Sequence, residues 1–387
     1  MRVLFASTSG SGHFNPLVPF IDACAARGDD VLVVAPPRLE PLLATREQPY
    51  RIGGEPPEAE LVPLMMRVLG LPADEGVSLM TREVFGRLCT TAMLPTMEEL
   101  CREWRPDLVL HEMYELASVV AAEHHGVPHA QVAVSAAQFA ESTDELLRPV
   151  LDSYGAGIGE RLRASPYLTR LPTSLDPSPY AVTRRYHQPP APDALPDWWQ
   201  GSEEPLVYVT LGTEVGGMPN ASALYRAVLA SVSGLPARVL LTTGPLTDAS
   251  DFGAIPRNVH LEKWVPQADV LGSASLILCH GGSGTVYGAL AAGVPLVCVP
   301  LFADQPTNAE LVTGAGAGLT VTADGPGQET AGFGPDGVAR LRSAVERVLK
   351  EPSYRASAER LAAEMCATPT AGELLGSLGA VPAPGPR

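Results

Sequence analysis

Positive charge is scarce in this chain. Its 387 residues hold 27 Lys and Arg against 43 Asp and Glu, a formal net charge of −16 with a pI near 4.9. So acidic a protein lacks the basic surface that phosphate backbones and anionic membranes require, which excludes nucleic acid as the main partner. A small anionic ligand stays open, because a few local donors suffice to hold one. Long hydrophobic runs are also missing. No stretch reaches the roughly 18 apolar residues of a membrane helix, so stable membrane insertion is not expected. The richest run, Leu290 to Ala303, is broken by Gly293, Pro295 and Pro300. The opening MRVLFAST has only four consecutive apolar residues, Val3 to Ala6, and does not read as a secretory signal. Six cysteines (Cys24, Cys89, Cys101, Cys279, Cys298, Cys366) form no CxxC pair, and in a chain this long they read as reduced thiols in a cytoplasm. There is no fixed-period repeat. There is no GxxxxGK[ST] either, hence no Walker lysine and no sign of an NTPase.

What is present is an alternation. Val3-Leu4-Phe5-Ala6 is followed by a Gly-rich turn, Ser7 to Gly12, and then by helical spacing from Asn15 to Arg27, closed by Gly28. Val31–Val34, Leu108–Leu110 and Gln131–Val134 are short apolar runs suited to strands covered on both faces. A helical stretch, Leu116 to His125, lies between the last two. Residues 55–104 and 139–168 break the rhythm with Met- and Leu-rich helical segments such as Leu61–Leu69 and Val84–Met97. They read as helices covering a sheet, with a few side chains left for an apolar ligand. Residues 187–205 hold five prolines and read as a linker. The pattern then restarts with strand candidates at Leu206–Val209, Val239–Leu241, Val259–Leu261, Leu276–Leu278 and Leu296–Val299, and with helical stretches at 221–233, 284–292, 306–313 and 336–350. Strands alternating with helices predict parallel sheets. The expected division is an α/β domain over 1–186, the linker 187–205, a second α/β domain over 206–368, and a last helix with a tail over 369–387. Ligands of open α/β sheets bind beyond the C-terminal ends of the strands.

Two turns at such strand ends carry chemistry. His280-Gly281-Gly282-Ser283-Gly284-Thr285 follows a buried strand and opens a helix, whose first amides point outward for a phosphate. The bland alternative is a tight turn with Ser283 as helix cap. Gly10-Ser11-Gly12-His13-Phe14-Asn15 is half of a dinucleotide fingerprint. Its third glycine is replaced by Asn15, and the next strand ends in Ala35-Pro36-Pro37 without an acid for a ribose diol, so NAD(P) is not expected. His13 stands where this first turn becomes a helix. A catalytic base needs an orienting partner, and Glu112 at the end of a neighbouring strand offers one. His111 points to the opposite face by alternation. Asp107 reads as a strand-entry residue, and His124, His125, His129 and His187 read as helix-end or surface residues. No clustered acid pattern marks a tight metal site.

Assembled, these residues resemble the nucleotide-sugar-dependent glycosyltransferases of the GT-B fold, in particular the bacterial enzymes that decorate antibiotics and other secondary metabolites. The resemblance runs along nearly the whole chain and is strongest in GSGHFNPLVP at 10–19, VYVTLGT at 207–213, and the run from WVPQADVL at 264–271 through HGGSGT to GALAAGVPLVCVPLFADQPTNAE at 288–310. It implies two Rossmann-like α/β domains facing across a cleft. His13 resembles the base that deprotonates the acceptor, and Glu112 falls where the family usually keeps an acid that holds it. Trp264 resembles the residue that stacks on the donor base, with the Val265 backbone reading its edge. His280, Gly282, Ser283, Gly284 and Thr285 resemble the diphosphate cradle, Thr213 a second phosphate contact, and Gly12 a further donor-binding residue. Asp304 and Gln305 resemble the pair that bonds sugar hydroxyls. The bland readings are core packing for Trp264 and helix capping for Asp304.

Uridine-nucleotide users of the family often carry Glu eight residues after the motif His, where this chain has Gly288. The expected donor is therefore a dTDP-sugar rather than a UDP-sugar. The expected reaction is inverting transfer without an obligatory metal or other cofactor. The acceptor is expected to be a hydrophobic natural product against Met65, Met66, Phe85, Met93 and Phe139. C-glycosylation of an aromatic carbon, a sugar-nucleotide epimerase or hydrolase, and a non-catalytic nucleotide-sugar-binding helper are the alternatives the residues leave open. A homodimer is compatible with the sequence.

Overall fold

The computed structural model describes residues 1–189, 203–218, 220–324 and 332–378. The chain divides into two compact units, Met1–Gln188 with Thr368–Arg387, and Pro189–Ala367. Most of the expected linker and the end of the expected tail lie outside the described residues.

The first unit is built on a seven-stranded sheet, all parallel, in the order β3-β2-β1-β4-β5-β6-β7. Its strands are β1 Arg2–Ala6, β2 Asp30–Ala35, β3 Tyr50–Ile52, β4 Leu108–Glu112, β5 His129–Val132, β6 Tyr167–Thr169 and β7 Thr183–Arg185. The apolar runs read from the sequence are buried on both sides: Val3, Leu4, Phe5, Ala6, Val109 and Leu110 have no exposed surface. Chain order reverses at β1, which lies between β2 and β4. Their register pairs Ala6 with His111, so the loop after β1 meets the end of β4 at Glu112. That is the topological switch point where open sheets of this kind bind ligands.

The second unit has a six-stranded parallel sheet, β10-β9-β8-β11-β12-β13. Its strands are β8 Leu206–Thr210, β9 Arg238–Thr242, β10 Val259–Glu262, β11 Ala274–Cys279, β12 Leu296–Cys298 and β13 Gly318–Thr320. Here β8 is the reversal strand. Thr210 pairs with Cys279, which sets Gly212 and Thr213 beside His280.

Several local expectations need correction. The helical spacing from Asn15 to Arg27 is not one helix. Ser11–Phe14 forms a single turn, Asn15–Leu17 a tighter one, and the helix proper runs Val18–Arg27. Pro16 and Pro19 lack the N–H that a continuous i→i−4 ladder needs. The expected strand Gln131–Val134 is β5, His129–Val132, because pairing starts at Pro128, whose carbonyl accepts from Val109 N–H at 2.9 Å. The stretch Val84–Met97 is divided. Met80–Cys89 is a wide helix with i→i+5 bonding, continued by the α-helix Thr90–Glu103. The short strands β3, β6, β7 and β13 carry too few residues to show a period.

The terminal helix Ala371–Leu378 lies on the helix Val18–Arg27, with Leu374 and Leu375 buried in the core beside Phe20 and Ile21. His187 N–H donates to Pro369 O at 2.9 Å and anchors the returning chain. Leu375→Ala should therefore destabilise the first unit by about 3 kcal/mol through lost burial and an unfilled cavity. A urea midpoint unchanged from wild type would show that the helix contributes nothing to this unit.

Candidate active site

In the first unit the site is organised by a buried carboxylate. Glu112 has no exposed surface. Its Oε1 accepts from Thr8 N–H at 3.0 Å and from the Thr8 hydroxyl at 2.7 Å. Its Oε2 accepts from Tyr114 N–H at 2.9 Å and lies 3.0 Å from His13 Nδ1. Burial alone would push this carboxyl up. The His13 charge and these hydrogen bonds overcome that and hold it below the ordinary carboxylate value. The ionised carboxylate fixes the imidazole tautomer: Nδ1 carries the proton, and the lone pair of neutral His13 stands on Nε2. Gly10, at φ 109°, makes the sharp entry that aims His13 at the end of β4, and Gly12 beside it is exposed with open space around its Cα.

The His13 side chain is 24% exposed and lies beside two rings. Phe85 and Tyr114 stack at 4.2 Å, and their centroids lie 5.7 and 5.4 Å from the imidazole. Phe85 is delivered by the wide helix Met80–Cys89. Of the five side chains expected at an acceptor, it is the one in ring contact with His13. Met93 is a correction: it is 4% exposed and packs with Leu4, Val34 and Met97, so it belongs to the core. Met65 packs on Leu64, Val84 and Leu88, Phe139 borders the cluster around Tyr167 and Tyr180, and Met66 is 66% exposed. His129 is a second correction. As the first residue of β5 it turns into the sheet, 7% exposed, with Nδ1 3.3 Å from His111 Nε2 and Nε2 3.2 Å from Glu123 Oε1.

In the second unit the helix Ser283–Ala291 opens directly after β11, with Gly282 rather than Ser283 at the cap position. A Cβ on Gly282 would stand 2.5 Å from His280 Nε2, and one on Gly212 would stand 2.7 Å from the same atom. Both positions need glycine because the imidazole is wedged between the two loops. Burial pushes His280 down to about 4, so its ring is neutral, and its Nδ1 is buried without a hydrogen-bond partner. Gly284 is exposed with open space at its Cα, and Thr285 lies in the same first turn. Thr213 is partly exposed in the turn after β8. Trp264 is 65% exposed, which removes the core-packing alternative, and Val265 is partly exposed beside it. A Cβ on Gly288 would come within 2.5 Å of Gln267 Nε2, so that amide lies where a longer side chain would begin. Asp304 accepts from the Ser283 hydroxyl at 2.5 Å. Gln305 is 3% exposed, and its Oε1 accepts from Leu301 and Phe302 N–H at 2.9 and 3.1 Å, which orients the side chain within its own loop.

Family models place this architecture. Residues 74–212 match the N-terminal domain, and residues 226–381 the C-terminal domain, of the erythromycin biosynthesis protein CIII-like family. The L-demethylnoviosyl transferase of Streptomyces niveus is 33% identical over 96% of this chain and 95% of its own length. This chain belongs to that glycosyltransferase family. A TDP-daunosamine transferase of Streptomyces peucetius is 26% identical over 98% of this chain and 96% of its own. The crystal structure of the glycosyltransferase SnogD from Streptomyces nogalater superimposes with a TM-score of 0.75 at 26% identity, covering 98% of both chains. The glycosyltransferase thus has the GT-B architecture: two parallel sheets with interleaved helices. No helix among its described residues is long and apolar enough to cross a membrane.

Thr8 and Tyr114 were not singled out by sequence reasoning. Tyr114 acts on Glu112 through its backbone N–H, which no side-chain pattern displays, and Thr8 through its N–H and its hydroxyl, brought there by strand pairing 104 positions away. Glu115 was missed too. It caps the helix Leu116–His125, accepting from Ser118 N–H at 2.9 Å, and is 2% exposed. Burial pushes it up to about 7, and the Glu112 charge adds to the shift. A carboxyl near 4.5 when unfolded and near 7 when folded holds its proton longer in the native state, so stability falls as pH rises between those values, by up to about 3 kcal/mol. Glu115→Gln keeps the cap oxygen without the charge. Its Tm should fall less than that of wild type between pH 5 and pH 8; parallel curves would refute the assignment.

Proposed function

We propose that this glycosyltransferase is an inverting enzyme that moves a sugar from a thymidine diphosphate donor to a hydroxyl of a hydrophobic natural product. The observation that carries the reading is the His13–Glu112 pair: an imidazole beside two aromatic rings, its tautomer set by a carboxylate with no exposed surface. The acceptor O–H proton passes to His13 Nε2 while its oxygen bonds to the anomeric carbon. The bond from that carbon to the diphosphate oxygen breaks on the opposite face, and Glu112 steadies the imidazolium that forms.

The leaving diphosphate develops negative charge. The first amides of the helix Ser283–Ala291, the Thr285 hydroxyl and the neutral imidazole of His280 are donors suited to it, so no divalent ion is required for the step. Trp264 offers an exposed ring on which the base can stack. Preference for thymidine over uridine is supported by two features. Gly288 supplies no acid to a ribose 2′-hydroxyl, and the S. peucetius relative is named for a TDP-sugar. The stacked Phe85–Tyr114 pair suits a ring-containing acceptor, and it favours transfer to oxygen or to an aromatic carbon equally.

His13→Ala should lower kcat about 100-fold or more while TDP still raises the melting temperature. Undiminished turnover would remove His13 from the chemistry. With donors matched in the sugar, kcat/KM should be higher for the dTDP- than for the UDP-derivative and should survive EDTA. A preference for UDP would overturn the donor assignment, and activity restored only by Mg²⁺ would overturn the metal-free step.

A further inference from the structure

Asn308 stands one turn into the helix Gln305–Gly314 and has no exposed surface. Its Nδ2 lies 2.9 Å from Gly281 O, 3.0 Å from Ser283 Oγ and 2.9 Å from Asp304 Oδ2. The amide has two protons for three acceptors, so the three are held around one point. The hydroxyl of Ser283 has a single proton, and it goes to Asp304 Oδ2 at 2.5 Å. Ala303 adds to this arrangement. At φ 55° it is one of two described residues other than glycine with a left-handed backbone, and that turn presents Asp304 to the Ser283 loop.

Family-like patterning assigns the Ser283 hydroxyl to the diphosphate. The hydrogen bonds assign it elsewhere. Its proton is committed to a carboxylate, while its backbone N–H, in the first turn of the helix, remains the group aimed at an anion. We infer that Asn308, together with the hydroxyl of Ser283, is a positioning device for Asp304: the two hold its Oδ2 and so fix the carboxylate that the sugar of the donor meets. The diphosphate is seated by backbone amides, Thr285 and His280. Loss of the device should therefore be felt by the sugar end of the donor and not by the nucleotide. The inference rests on the donor site proposed above.

The test compares TDP with TDP-glucose as ligands of the whole chain. In Ser283→Ala and Asn308→Ala, the Kd of TDP measured by calorimetry should stay within about twofold of wild type, while KM for TDP-glucose rises about tenfold. Ser283→Thr, which retains the hydroxyl, should restore KM. In an Asp304→Ala background neither substitution should cost anything further, because the residue they position is gone. TDP affinity falling as far as sugar-donor affinity would make the hydroxyl a diphosphate ligand and overturn the inference, as would full additivity with Asp304→Ala or no effect at all. Asn308 is fully buried, so if its variant does not fold, the Ser283 pair and the Asp304 background decide alone. A wild-type chain that binds no TDP would instead sink the donor site itself.

Discussion

A carboxylate removed from water constrains the first unit more than any other group. Glu112 ends the central strand β4 with no exposed surface, and stripping the donors from such a charge costs about 3–5 kcal/mol. The chain therefore must bring Thr8, Tyr114 and His13 to it. Thr8 does so because β1 and β4 are neighbours in register, and Tyr114 because the strand turns immediately after Glu112. The same four hydrogen bonds that make burial tolerable fix the tautomer of His13. Stability and chemical competence thus depend on the same atoms.

The second unit meets a different electrostatic problem with the same sheet device. A reversal at β8 and β11 brings two loops and a helix start together, and glycines at 212 and 282 leave room for the imidazole of His280 between them. Burial keeps that ring neutral. A neutral donor and unpaired helix amides suit an anion that must leave again after reaction, since they bind it without a fixed full charge. The polar hub of Ser283, Asp304 and Asn308 ties this helix start to the loop after β12.

The segment over 58–103 is almost continuously helical and carries Phe85 to the His13 ring. A ten-residue helix of i→i+5 bonding is uncommon, and wide turns of this kind are frequent at functional positions. Here the wide turn sets Phe85 against Tyr114 and His13, while neighbouring side chains such as Met93 and Val84 are spent on packing.

Much of this was legible from residue order. Short apolar runs alternating with helical spacing specify parallel sheets because buried strands must be apolar on both faces, and glycine–hydroxyl turns at strand ends mark helix starts with exposed amides. His13, Glu112 and His280 were readable on that basis, and Trp264 only through the family resemblance. What only the tertiary structure decided has a common physical cause: it depends on backbone groups and on packing between distant segments. Tyr114 serves Glu112 through an N–H group of the kind nearly every residue carries, and Thr8 adds a hydroxyl that only strand pairing brings to it. Met93 and Met66 look alike in sequence, yet one is core and the other faces solvent. His129 and Gln305 are polar residues turned inward by strand pairing and loop closure. The proton of Ser283 is directed by Asn308 and Asp304, 25 and 21 positions away, a distance over which no local pattern operates.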